Sequence, residues 1–135
     1  MNFCSGIHLL VRKEGKFLVL KRASNVKEPD CWDLPGGTNE WGEQPVEAAI
    51  RETKEEAGLE IDVTKLLGAW AFENEHGKWS IELLGFGEVR GGEISLEDKF
   101  AEYRWLTLKE MMALEPKRNH LEALFRESLI DLKDL

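Results

Sequence analysis

The chain has 135 residues, of which 42% are hydrophobic and 33% are charged, and its formal net charge is −8. This length and balance predict one soluble domain that can bury a substantial core. The acidic balance argues against a nucleic-acid-binding surface, because such surfaces carry basic stripes that neutralise phosphates. Cys4 and Cys31 are too few for a disulfide scaffold, which favours a reduced, cytoplasmic setting.

The first third of the chain predicts a β-hairpin followed by a polar loop. The runs Ser5–Val11 and Lys16–Arg22 have the composition of strands, and Gly15 supplies the turn between them. Residues 23–33 are polar and end in Cys31-Trp32, where Trp32 can either stack on a nucleobase or cover the core. The N-terminus lacks the pattern of a secretion signal, and no stretch reaches the ~20 apolar residues of a membrane helix. We therefore expect no membrane anchor.

The best-defined helix runs from Gln44 to Ala57. Pro45 suits the first helical position and Gly58 suits the left-handed residue just past the end. Helical spacing predicts a packing stripe and an acidic face on different sides of the helix. The packing stripe consists of Val46, Ala49, Ile50, Thr53 and Ala57. The acidic face consists of Glu52, Glu55 and Glu56. Neighbouring acids repel each other, but Mg²⁺ takes oxygen ligands and shares them with phosphates. The face predicts a magnesium site, although a bare ExxEE is more often a solvated acidic surface.

The second half of the chain predicts strands followed by two helices. In chain order these are an antiparallel pair, Glu60–Asn74 and Trp79–Val89, a last strand, Tyr103–Leu106, and the helices Leu108–Leu114 and Asn119–Leu132. Thr107 and Glu110 are spaced as a capping box for the first of these helices, and Asn119 suits the N-cap of the second. The element order predicts an α/β (α+β) domain with a mixed sheet between helices.

Residues 37–59 carry a longer pattern than ExxEE. It reads Gly37, five residues, Glu43, seven residues, and then RETKEEAGL from Arg51 to Leu59. This pattern resembles the Nudix box, the signature of hydrolases that cleave nucleoside diphosphates linked to another group. Thr53 is the one departure, since an aliphatic residue is usual there, but its methyl group can still pack inward. The resemblance implies a Nudix-type α/β/α sandwich, which we expect to form a single domain over residues 1–135.

The resemblance also implies a metal centre with Mg²⁺, for which Mn²⁺ can substitute. The Gly37 carbonyl, Glu52 and Glu56 would hold the ion, and Glu55 would be a further ligand or orient a water. Gly36, Glu43 and Gly58 would support the box, and Arg51 would pair with Glu43 and hold the turn against the helix. An acid outside the box would act as base: Glu102 is the first choice, with Glu97 and Asp98 behind it.

The substrate implied by the resemblance is a small nucleotide. Related triphosphate hydrolases place an arginine at the position of Arg22 to meet the phosphates. The segment from Pro116 to Asn119 resembles the one in which oxidised-guanine nucleotide hydrolases carry a base-reading asparagine, so Asn119 is a second candidate contact.

The absence of three subgroup signatures narrows the choice of substrate. In the resembled family, ADP-ribose hydrolases tend to have a proline near the position of Asn74, dinucleoside polyphosphate hydrolases have a tyrosine near that of His76, and coenzyme A hydrolases have a long upstream motif. This chain has none of the three. These absences favour a nucleoside triphosphate, including noncanonical ones such as 8-oxo-dGTP, cleaved to the monophosphate and pyrophosphate. The alternative substrates are ADP-ribose and nucleotide sugars. The alternative to an enzyme is a non-enzymatic Nudix-fold ligand sensor or interaction module. The sequence does not determine the oligomeric state, and a homodimer is compatible with it.

Overall fold

The computed structural model of the chain describes residues 3–127. Within that range the elements are β1 (Phe3–Lys13), β2 (Lys16–Arg22), β3 (Trp32–Asp33), β4 (Gly36–Thr38), α1 (Pro45–Ala57), β5 (Leu59–Glu73), β6 (Trp79–Gly92), β7 (Phe100–Leu106), α2 (Leu108–Met112) and α3 (Asn119–Arg126).

Strand β1 is the centre of a mixed sheet with the order β3-β2-β1-β6-β5. It runs parallel to β6 from Phe3↔Trp79 to Arg12↔Glu88, while β4 pairs with β1 and β7 pairs with β2. The predicted β1–β2 hairpin and β5–β6 antiparallel pair are both present. The parallel contact between β1 and β6 was not predicted, and it makes the sheet mixed.

Helices cover both faces of this sheet, which confirms the predicted α/β/α arrangement. On one face, alternate residues of β1 pack against α1, in a cluster that includes Ile7, Leu9, Val11, Ala48, Ala49 and Ala57. On the other face, Leu10 packs with residues of α2 and α3, among them Met111, Leu121 and Leu124. Because side chains alternate along a strand, one strand feeds both cores.

Helix α1 begins and ends as its punctuation predicts. Pro45 occupies the first turn, and Gly58 is left-handed with φ 77° while its N–H donates to the Lys54 carbonyl. The predicted packing stripe is wrong in detail, because Val46 and Ile50 are each 38% exposed. The stripe is rotated toward Glu56, so that the buried residues of the helix are Ala48, Ala49, Thr53, Glu56 and Ala57.

The two later helices differ from prediction at their ends. The capping box of Thr107 and Glu110 is present, but α2 ends at Met112 instead of Leu114. The N-cap of α3 is Arg118, and Asn119 is the first helical residue. The predicted end of α3 at Leu132 lies outside the described residues. No helix among residues 3–127 is long and apolar enough to cross a membrane.

Candidate active site

A polar cleft of about 580 Å³ opens beside the start of β4 and the C-terminal half of α1. Gly36, Gly37, Glu52, Glu56 and Lys99 line it near the box. The rest of the lining includes residues from β1, β3, β5, β6, α3, the β5–β6 turn and the loop before β3, among them His8, Glu28, Asp33, His76, Glu82, Arg118, Asn119 and His120. Acids outnumber lysine and arginine in this lining, so a phosphate-bearing ligand would need a metal cation beside it.

Glu56 is the most buried acid of the box, at 4% exposure. The Gly36 N–H donates to its Oε1 at 2.8 Å, and Lys99 Nζ lies 3.2 Å from its Oε2. Burial raises the pKa of Glu56 to about 8, even with these two partners. A carboxylate that is costly to ionise in its buried site gains stability from a cation placed beside it.

Glu52 lies directly over the backbone of Gly37. A Cβ at position 37 would be 2.6 Å from the Glu52 Cδ, so only glycine leaves room for this carboxylate. Burial also raises the pKa of Glu52. Strand β4 fixes the Gly37 backbone by pairing it with Ile7 of β1, so the carboxylate and the turn are held in register.

Arg51 ties the turn to the helix through several carboxylates. Its Nε and Nη2 donate to the two oxygens of Glu43 at 2.7 and 3.0 Å, which is the expected pairing. Its Nη1 also reaches Glu52 at 2.9 Å and Glu55 at 3.2 Å. The hydrogen bonds from Arg51 lower the pKa of Glu43 to about 2 and raise the pKa of the guanidinium. Arg51 thus positions the acidic face and is itself only partly exposed.

The donor set of the box fits a hard divalent cation. Glu52, Glu55 and Glu56 project from one helix, and Glu52 contacts the Gly37 turn through the space that a side chain at position 37 would fill. Oxygen donors are the ligands that Mg²⁺ takes. In the structure, Lys99 and Arg51 supply the positive charge for these acids.

The acids outside the box lie in two different places. The backbone of Glu97 is bonded to α1, since its N–H donates to the Glu56 carbonyl at 3.0 Å. Its carboxylate lies 3.2 Å from Lys99 Nζ. Asp98 is exposed beside it. Glu102 lies on β7, accepts a hydrogen bond from Arg104 at 2.9 Å and is not among the cleft-lining residues. None of the three acids lines the cleft, and Glu97 is the one whose contacts lead to the box, through the Glu56 carbonyl and Lys99.

Two carboxylate–imidazole pairs line the cleft beside the Gly36-Gly37 turn. Nδ1 of His120 lies 3.1 and 3.2 Å from the two oxygens of Asp33, and Nδ1 of His8 lies 3.5 Å from Glu82. The two imidazole rings stack with centroids 3.5 Å apart. Burial favours a raised pKa for Asp33, but the charges of His120, His8 and Arg118 outweigh it and lower that pKa below its usual range.

Sequence reasoning did not select this group of four residues. Each of them comes from a different element, and a single histidine or acid in a strand carries no spacing signal. Only the pairing of β1 with β6, and the contact of α3 with β3, brings them together.

The three predicted substrate contacts have different surroundings. Asn119 lines the cleft, and its Oδ1 accepts a hydrogen bond from Trp70 Nε1 at 3.3 Å. Trp32 is 3% exposed and packs in the core, with the Arg104 guanidinium 4.7 Å from its ring. Arg22 is 9% exposed, and its Nε donates to the Lys27 carbonyl at 2.6 Å. The structure brings only Asn119 of these three into the cleft.

Comparison with known proteins is consistent with this geometry. The NUDIX domain family model matches residues 5–127, so the chain belongs to the Nudix family. The crystal structure of the MutT protein from Methanosarcina mazei Go1 is similar, with a TM-score of 0.77, 28% identity, and coverage of 94% of this chain and 96% of that one.

Curated relatives give two different functional names. An ADP-ribose pyrophosphatase of Methanocaldococcus jannaschii is 34% identical over 106 residues, which cover 78% of this chain and 62% of that protein. A nucleoside triphosphate pyrophosphatase/Nudix hydrolase fusion protein of Bifidobacterium longum is 30% identical over 132 residues, which cover 91% of this chain and 26% of that protein. The chain thus spans less than two thirds of the length of either curated relative.

Proposed function

We propose that the protein is a Mg²⁺-dependent hydrolase that cleaves a nucleoside triphosphate, including noncanonical ones such as 8-oxo-dGTP, to the monophosphate and pyrophosphate. The observation that carries this proposal is the convergence of Glu52, Glu56 and the Gly37 turn at one part of a polar cleft. The remaining volume is lined by hydrogen-bonding side chains that suit the sugar and base.

The box residues would hold the metal through Glu52, Glu56 and the Gly37 carbonyl, with Glu55 at its exposed rim. Bound Mg²⁺, or Mn²⁺ in its place, neutralises a diphosphate, orients it and lowers the pKa of water. Arg51 does not contact the substrate in this proposal. It holds Glu43, Glu52 and Glu55 in position through the contacts described above.

Glu97 is the acid outside the box that we assign as proton acceptor. Its N–H is bonded to the Glu56 carbonyl, and its carboxylate lies 3.2 Å from Lys99 Nζ, the same ammonium that pairs with Glu56. Glu102 is the alternative acceptor, but its carboxylate is bonded to Arg104 on the same strand.

Asn119 is the residue that we assign to the base. Trp70 holds its carbonyl oxygen, which leaves the amide N–H groups to donate to an acceptor on the ligand. Trp32 and Arg22 take no part in the proposal, because core packing and the 23–31 loop already engage them.

ADP-ribose is the second candidate substrate, because the relative with 34% identity carries that name. In ADP-ribose the diphosphate joins two sugars, whereas in a triphosphate it is the end of the phosphate chain. The products of hydrolysis therefore distinguish the two substrates. Triphosphate hydrolysis releases pyrophosphate, whereas ADP-ribose hydrolysis gives AMP and ribose phosphate.

The decisive experiment is a panel of nucleoside triphosphates, 8-oxo-dGTP, ADP-ribose and nucleotide sugars with Mg²⁺. Products are identified by mass and by separate assays for pyrophosphate and phosphate, with the Glu56→Gln variant as the matched control. We expect monophosphate and pyrophosphate from at least one triphosphate. Turnover of ADP-ribose alone would overturn the triphosphate proposal, and tight nucleotide binding without turnover would identify a sensor instead.

A further inference from the structure

We infer that His8, Asp33 and His120 form a second cation site, for a late first-row divalent transition metal such as Zn²⁺ or Co²⁺. None of these three residues belongs to the box, although His8 lies beside Gly36, and the inference does not depend on the proposed hydrolysis. One ligand atom from each residue lies within 4.8 Å of the other two.

The donor chemistry distinguishes this site from the box. Imidazole nitrogens suit Zn²⁺, Co²⁺ and Ni²⁺, whereas sites made only of carboxylate and carbonyl oxygens suit Mg²⁺. Two histidines with one carboxylate are a frequent ligand set for such ions, with the remaining position open to water or another ligand. The box residues supply only oxygen donors, so the two sites should select different metals.

The three ligand atoms are close enough to reach one ion after a small rearrangement. Metal–ligand bonds of about 2.0–2.1 Å in a tetrahedron place neighbouring ligand atoms roughly 3.3 Å apart, and the three atoms here lie within 4.8 Å of one another. Nδ1 of His120 is hydrogen bonded to Asp33 Oδ2 at 3.1 Å, and an ion would take the place of that proton. The stacked imidazoles need to open from their 13° interplanar angle so that both can face one ion.

Two atoms of the group lack hydrogen bonds to other described residues. His8 Nδ1 and Glu82 Oε2 are buried and have no hydrogen-bond partner within residues 3–127. The two atoms face each other at 3.5 Å, which is too long for a well-formed hydrogen bond, so a cation that engages both of them is favoured. Glu82 is thereby a ready fourth donor, since Ser80 already holds its other oxygen at 3.1 Å.

Asp33 is positioned by its neighbours as metal-binding carboxylates are. The Leu34 N–H donates to its Oδ1 at 2.8 Å, and Arg118 lies 3.3 Å from its Oδ2. Such contacts fix the orientation of a ligand before the ion arrives. The three residues line the cleft, which gives the ion a path from solvent.

Co²⁺ titration of the chelator-treated protein, with the box first saturated by Mg²⁺, tests the site. We expect one equivalent of Co²⁺ to give the intense visible absorption of a four- or five-coordinate ion. X-ray absorption of the Zn²⁺-loaded wild-type protein should show two imidazole ligands, a result that needs no variant to fold. Absence of imidazole from the Zn²⁺ shell would overturn the inference.

Variants assign the ligands. We expect His8→Gln and His120→Gln each to weaken Co²⁺ binding at least 100-fold. His76→Gln should change it less than about twofold, although His76 also lines the cleft and is the third of the three histidines. Glu56→Gln should leave the Co²⁺ absorption unchanged. Loss of that absorption in Glu56→Gln, or its survival in His120→Gln, would place the ion at the box and refute the inference.

Discussion

Lys99 Nζ and the buried carboxylate of Glu56 form an ion pair of 3.2 Å across the cleft. Lys99 comes from the loop between β6 and β7, and Glu56 comes from α1. A lysine thus supplies, in the structure, the charge that a divalent cation would supply to the same carboxylate. This relationship makes the ammonium and the metal competitors for Glu56.

Lys99→Met should therefore strengthen metal binding. We expect Mn²⁺ affinity measured at about pH 8.5 to rise roughly 3- to 10-fold, because the competing cation is removed from a half-buried pair. At lower pH the loss of Lys99 also raises the pKa of Glu56, and its protonation opposes the gain. Mn²⁺ titration followed by electron paramagnetic resonance measures it, and Lys54→Met on the exposed side of α1 is the control. Weaker Mn²⁺ binding by Lys99→Met would show that the two cations do not compete.

Glu56→Gln should lower turnover more than about 100-fold while the fold stays intact. The amide keeps the shape of the side chain but loses the charge that would hold the metal. Steady-state kinetics with Mg²⁺ and circular dichroism of the same sample measure the two effects. Turnover equal to that of the wild type would remove Glu56 from the metal site.

Gly37→Ala should disable the site through geometry alone. The new Cβ would lie 2.6 Å from the Glu52 Cδ, so the carboxylate must leave its place over the turn. We expect at least a tenfold loss of both turnover and Mn²⁺ affinity. Gly91→Ala is the control, because its Cβ would meet only the flexible end of Glu60, at 3.4 Å. Equal effects of the two substitutions would contradict the prediction.

Glu97→Gln and Glu102→Gln separate the two acids outside the box. We expect Glu97→Gln to reduce kcat by about 100-fold or more, on the scale of a lost general base. Glu102→Gln should change kcat less than about threefold, because its carboxylate pairs with Arg104 on β7, whereas that of Glu97 pairs with Lys99 beside Glu56. The reverse order of effects would restore the choice made from the sequence.

The Glu43–Arg51 contact predicts a pH dependence of stability. Arg51 lowers the pKa of Glu43 from its ordinary 4.5 to about 2, so the unfolded chain binds the proton first as pH falls. The stabilisation is complete above pH 4.5 and is lost between pH 4.5 and 2. Across that window Glu43→Gln should lose less thermal stability than the wild type. In an Arg51→Met background the difference should vanish, and its persistence would assign the effect to another contact.

Local features of the fold were predictable because local chemistry determines them. Pro45 and Gly58 mark the bounds of α1, and Thr107 with Glu110 marks the start of α2. The pairing of Arg51 with Glu43 followed from the box pattern. These contacts join residues close in sequence, where spacing limits which side chains can meet.

Features that depend on distant segments were not predictable. The parallel pairing of β1 with β6 joins residues 76 positions apart, and nothing in either strand specifies that partner. The burial of Glu56 was missed for the same reason: periodicity defines a helix face, but the residues that cover it come from the Gly36 turn and the loop before β7. The stacking of His8 on His120 likewise needs the assembled sheet and α3.

The loop before β7 is bonded to the end of α1, since Ser95 N–H donates to the Ala57 carbonyl and Glu97 N–H to the Glu56 carbonyl. Insertions or deletions in this loop would displace Glu97 and Lys99 relative to Glu56. Protein engineers who wish to redirect such a scaffold to new substrates should therefore randomise residues 23–31, whose Glu28 lines the cleft, and keep the length of 93–99 constant.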